Sequence, residues 1–168
     1  MMNFIYTHLE DYICELYTSI DVTTPKHLNP GLIASRLGFT LYFLPYDSTN
    51  TGNVIFIDSR LSEERQWQDF GHELCHATVH SGNQAKSIQL FREYQEWKAN
   101  SFALQACVPT FMLNKLKLPS NEEKAIITIQ AFFHVEYDFA KKRLYHYLNN
   151  HYFDGYRLTE GSNYCEVR

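Results

Sequence analysis

The sequence predicts an α+β fold, mostly helical, with a small antiparallel β-sheet packed beside one central helix. Three observations predict it. Apolar residues recur at helical spacing through most of the chain, two β-rich runs flank a turn-rich segment near residue 50, and residues 67–80 divide into a polar arc and an apolar stripe.

Taken in order, Phe4, Ile5, Leu9, Tyr12, Ile13 and Leu16 place an amphipathic helix over residues 3–18. After DVTTPKHLNP a short helix covers about 30–37 and stops at Gly38. FTLYFLP (39–45) and NVIFID (53–58) read as the two strands of a hairpin, because YDSTNTG between them favours a turn. Ser62, or Asp58 with Ser59, can cap a helix running to about His80, with Glu63 and Glu64 suiting its positive end. A loop is expected at 81–88, a second long helix from Gln89 to Cys107 before Pro109, and two more helices over 120–150, broken near FFHVEYD. This gives a main domain over 1–118, a C-terminal helical extension over 119–150 and a flexible tail over 151–168.

Apolar residues make up 45% and aromatics 15%, enough for a real core without help from disulfides. A net charge of −4 offers no general attraction to phosphate backbones or anionic membranes, so nucleic-acid binding is not the default reading. Cys14, Cys75, Cys107 and Cys165 form no Cys-x-x-Cys pair, which fits reduced thiols. Glu10, Asp11 and Glu15 interrupt the apolar start of the chain and no long apolar run follows, so a cytoplasmic location is expected.

The chemistry is concentrated in FGHELCHATVH, residues 70–80. His72-Glu73-Leu74-Cys75-His76 is an H-E-x-x-H sequence; on a helix its histidines sit one turn apart and can grip one metal ion, while Glu73 reaches the water the metal activates. A helical wheel at about 100° per residue tests this. With His72 at zero, His76 falls at about 40°, Asp69 at about 60°, His80 at about 80° and Glu73 at about 100°. Trp67, Phe70, Gly71, Leu74, Ala77 and Thr78 occupy roughly 140° to 260°, a stripe suited to the core. Cys75, at about 300°, is expected to be a buried thiol and not a ligand.

A zinc site that works on substrate wants three protein ligands and an open position. The next helix offers Glu96 and Asn100 on one face, with Glu93 about 60° around and Ala99 and Ala103 flanking Glu96.

HELCHATVH followed by EWKANSFALQACVP resembles the ImmA/IrrE metallopeptidases, gluzincin-like zinc peptidases that show an H-E-L-G-H helix and then E-x-x-A-N-x-F-A before a Pro-terminated apolar stretch. The resemblance runs from the hairpin to about residue 145, and Cys75 and Lys98 depart from the pattern. It implies a zincin-like domain, zinc as cofactor, His72, His76 and Glu96 as ligands and Glu73 as general base. Glu93 remains the alternative third ligand. It further implies an endopeptidase that cleaves a helix-turn-helix transcriptional repressor of a phage, mobile element or stress response. The other reading is a non-catalytic module on the same fold that binds the repressor.

Tyr94, His80 and His146 are candidates for stabilising the developing oxyanion, and His80 could also orient the site from one turn beyond His76. The hairpin could pair with an extended substrate by β-augmentation. The C-terminal helices resemble a helix-turn-helix, and Lys141, Lys142 and Arg143 could touch phosphates, but packing or substrate docking is favoured in an acidic chain. No membrane partner is expected.

Overall fold

A computed structural model describes residues 6–79 and 89–152. Its first helix, α1 (His8–Ser19), opens with a reciprocal cap: Thr7 N–H donates to Glu10 Oε2 (2.8 Å) and Glu10 N–H donates to Thr7 Oγ1 (3.3 Å). The helix therefore starts later than its apolar pattern suggests, because extended Thr7 sets the boundary; residues 3–5 lie outside the described residues. A 3-10 turn at Pro25–His27 leads into α2 (Pro30–Leu37). Asn29 Oδ1 accepts from Leu32 N–H (3.0 Å), and Gly38 ends the helix at φ +81°, where a side chain would be strained.

Three strands follow, β1 (Thr40–Leu44), β2 (Thr49–Thr51) and β3 (Val54–Asp58), in the spatial order β1-β3-β2. β1 and β3 run parallel, with Thr40 opposite Val54 and Leu44 opposite Asp58. The expected hairpin of these two runs, and a wholly antiparallel sheet, are thus corrected: the sheet is mixed. The hairpin is β2–β3, and its turn uses Gly52 at φ +55°. Thr49, Asn50 and Thr51 carry no apolar alternation, so this strand is hidden inside a segment that reads as a turn. Residues 45–48 carry the chain across to the far edge, where Ser48 Oγ accepts from Asp58 N–H (3.1 Å).

α3 (Glu63–Val79) is capped by Ser62, whose Oγ accepts from Arg65 N–H (3.2 Å). Asp58 serves the preceding turn instead, binding the Arg60 N–H and guanidinium. Ile55 and Ile57 of β3 and Trp67, Phe70 and Leu74 of α3 are all buried in one core, and α3 lies between the sheet and α4 (Gln89–Cys107). α5 (Thr110–Leu113) is a single turn that periodicity did not reveal. α6 (Glu122–Phe133) and α7 (Tyr137–Tyr152) form the expected pair, broken where His134 adopts φ +52°. The loop expected at 81–88 lies outside the described residues, as does the tail beyond Tyr152.

Phe102, Met112, Ile129 and Leu144 belong to the same core as Ile13 and Phe70, so α6 and α7 close over the helices that precede them. A polar cluster pins this closure. Fully buried Arg143 donates from Nε to Val108 O (2.9 Å) and from Nη2 to Gln105 Oε1 (2.9 Å) and Thr110 Oγ1 (2.7 Å). The Thr110 hydroxyl in turn donates to Glu10 Oε1 (2.7 Å). Burial pushes the Glu10 carboxyl up, but bonds from Thr7 and Thr110 and the Arg143 charge outweigh it and hold the group below its usual range.

Cys75 and Cys107 are free and buried, and Cys165 lies outside the described residues. No helix among the described residues is long and apolar enough to cross a membrane.

Candidate metal centre

α3 supplies two donors at one-turn spacing. The His72 and His76 rings meet edge-on with centroids 4.8 Å apart, and their Nε2 atoms are separated by 3.1 Å. Glu96 on α4 closes the group, with Oε2 3.2 Å from His72 Nε2 and Oε1 3.4 Å from His76 Nε2. Small residues make this possible: Ala99 and Ala103 on α4 are buried, and Gly71 on α3 faces Ala103 and Cys107.

Asn100, one turn beyond Glu96, places Oδ1 3.2 Å from His72 Nδ1. An amide oxygen only accepts, so this contact calls for a proton on Nδ1, which in the neutral ring leaves Nε2 a lone pair for the group. Imidazole and carboxylate acceptors then converge on one small volume. A proton on His76 Nε2 could relieve these contacts one at a time, but a divalent cation relieves all of them together. The separations of 3.1 to 3.4 Å also match the edge of a tetrahedron, which is about 3.3 Å for bonds of about 2.0–2.1 Å. Side-chain exposure rises from 7% at His76 through 22% at His72 to 54% at Glu96, so the group has a buried floor and an open rim. A nitrogen, nitrogen, oxygen donor set with one side open fits zinc.

Glu73 is buried next to His72, and its carboxyl is pushed up to about 7, first by burial and then by the charges of Asp69 and Glu96. Asp69, on the same arc, is held by Arg65 Nε (3.0 Å) and by the Ser48 hydroxyl (2.8 Å), which fastens α3 to the residue just before β2.

Residues 34–145, about two thirds of the chain, match the family described as the IrrE N-terminal-like domain, a peptidase family. The chain belongs to this family. It is 41% identical over 145 residues to the phage-like element PBSX protein XkdA of Bacillus subtilis (strain 168), covering 82% of this chain and 72% of the relative. It is 38% identical over 171 aligned residues to uncharacterized protein YqaB of the same organism, covering 98% of both. The IrrE-like match contains all of α3 and α4 and therefore every residue of the metal group.

In this IrrE-like chain the other candidates fall elsewhere. Glu93 is exposed and accepts from Gln89 Nε2 (3.0 Å); the structure brings Glu96, not Glu93, to the imidazoles. Tyr94 is half exposed, stacked on Trp97 with the Lys98 ammonium over its ring. His146 lies on α7 beside Arg143, where burial and that cation lower its pKa. His80 lies outside the described residues. Cys75 is buried and outside the group, and burial pushes its thiol up to about 12, as a core cysteine requires. Asn100 is the residue that sequence reading left without a role. Its signal was its place four residues after Glu96, on the same helical face.

Proposed function

We propose that this chain is a zinc-dependent endopeptidase and that its substrate is a helix-turn-helix transcriptional repressor of a phage or other mobile element. The convergence of His72, His76 and Glu96 acceptor atoms within 3.4 Å neighbour contacts carries the reading, because that arrangement is unfavourable without a cation. His72 and His76 would hold the ion from the buried side and Glu96 from the open side, with Asn100 fixing the His72 tautomer.

Zinc in such a site supplies Lewis acidity, polarising a peptide carbonyl and making water a better acid. Glu73 takes a proton from the attacking water and later hands it to the leaving amine nitrogen. In the metal-free chain burial and the charges of Asp69 and Glu96 raise its carboxyl to about 7; a bound cation would pull it back down, favouring the carboxylate that accepts the proton near neutral pH. β2 is an edge strand joined through Ser48 to Asp69 on the metal face, which supports docking of an extended peptide as an added strand.

The name of the relative XkdA, a phage-like element protein, supports a mobile-element setting, and a repressor substrate places the activity in the cytoplasm. Direct contact with DNA through the 141–143 basic trio is disfavoured, since the Arg143 guanidinium is buried against Val108, Gln105 and Thr110. The test is incubation of the zinc-loaded chain with the repressor encoded beside its gene. One discrete cleavage is expected from the wild type and none from Glu73→Gln, with zinc retained in both. No cleavage by the wild type, together with a biological effect that survives His72→Ala, would favour the repressor-binding module instead.

A further inference from the structure

We infer that Gly71 is a positioning residue for the metal group, setting the depth at which α4 approaches α3; the inference rests on the metal reading above. The residue directly precedes His72 and sits where the two helices cross. A Cβ built at Gly71 would lie 2.8 Å from Cys107 Sγ, 3.3 Å from Ala103 Cα and 3.5 Å from Ala103 Cβ. The first distance is shorter than carbon and sulfur tolerate, and the second involves backbone, which cannot rotate away. Cys107 has little room to yield, being fully buried with Sγ donating to Trp67 O at 3.4 Å. A methyl group at 71 must therefore push α4 outward.

That displacement would act selectively. His72 and His76 share α3 and keep their mutual 3.1 Å spacing whatever α4 does. Glu96 and Asn100 both ride on α4, four residues apart and on the same side as Ala103, so their 3.2 to 3.4 Å contacts with the imidazoles are the ones that open. Gly71 thus controls the third ligand and the His72 tautomer together, without touching the metal.

The experiment measures zinc affinity, by competition with a chromophoric chelator, for wild type, Gly71→Ala, Cys107→Ala and the double variant, with circular dichroism confirming the fold of each metal-free protein. Gly71→Ala is expected to weaken zinc about ten-fold, the lower end of what losing an orienting contact costs. The double variant should recover only in part, to about three-fold weaker than Cys107→Ala alone, because the sulfur clash is gone while the 3.3 Å approach to Ala103 Cα remains. A second arm introduces Gly71→Ala into Glu96→Ala, where residual binding by the two α3 histidines should respond less, through the Asn100 contact with His72 alone. Equal affinities of wild type and Gly71→Ala would overturn the inference, as would an undiminished effect in the Glu96→Ala background. If Gly71→Ala does not fold, the double variant decides: affinity identical to Cys107→Ala alone rejects the role. A wild type that binds no zinc would remove both this inference and the metal reading, whereas zinc binding indifferent to residue 71 removes this one alone.

Discussion

Two polar clusters are built into the same fold, and they are wired in opposite senses. Around Arg143, donors meet acceptors: the guanidinium reaches Val108, Gln105 and Thr110, and Thr110 reaches Glu10, leaving Arg143 Nη1 as this cluster's one buried atom without a hydrogen-bond partner among the described residues. Around His72, atoms suited to ligate a metal converge, with imidazole nitrogens and a carboxylate facing one another and one side left open. The first cluster is nearly complete as it stands and holds α7 onto α1, α4 and α5. The second gathers atoms that can all ligate one cation, which is what makes it the candidate metal centre. The lesson is that burial and charge alone do not mark function; the sign of the unmet demand does.

The sharpest way to break this contrast is through the base. Glu73→Gln should lower peptide cleavage by about 10²–10⁴-fold, the usual contribution of a positioned general base, while zinc stoichiometry stays the same; single-turnover cleavage beside metal analysis checks it. Arg143→Met should do the reverse, costing about 3–5 kcal/mol in urea unfolding, because it leaves the acceptors of Val108, Gln105 and Thr110 without their donor and Glu10 without the facing charge, yet zinc affinity should hold. A smaller effect separates the clusters by sign. Glu96→Ala should weaken zinc at least about ten-fold but leave the metal-free protein as stable as before or more so, since it removes one of several converging acceptors; thermal melts with and without zinc would show it.

The smallest expected effect is on pH dependence. The Glu10 carboxyl is held below its ordinary 4.5, so its stabilisation is present above that value and is lost as pH falls through the lower folded pKa. The Glu73 carboxyl is raised to about 7, so in the metal-free chain its contribution is full below 4.5 and is lost as pH rises through about 7. Glu10→Gln should therefore flatten the acid limb of the stability profile, and Glu73→Gln the limb between 4.5 and 7; a slope unchanged in either variant contradicts the corresponding assignment.

Much of this was legible in the sequence where one helix supplies its own geometry. The wheel put His72, Glu73 and His76 on one arc and Trp67, Phe70 and Leu74 on the opposite stripe, and the structure buries that stripe. Capping chemistry located Ser62 and Gly38 for the same local reason. Contacts between elements were not legible. The parallel pairing of β1 with β3 depends on a polar three-residue strand that has no periodicity of its own. The burial of Arg143 depends on acceptors 33 to 38 residues earlier in the chain, so its two lysine neighbours made it look like surface charge. Asn100 needed the facing imidazole before it could have a role.

The most direct test of the central claim is a zinc titration of the purified, chelator-stripped chain by equilibrium dialysis, run beside His72→Ala and Glu96→Ala. The account predicts saturation at one zinc per wild-type chain with sharply weaker binding in both variants. A wild type that stays metal-free at saturating zinc, or variants that bind as tightly as the parent, would contradict it.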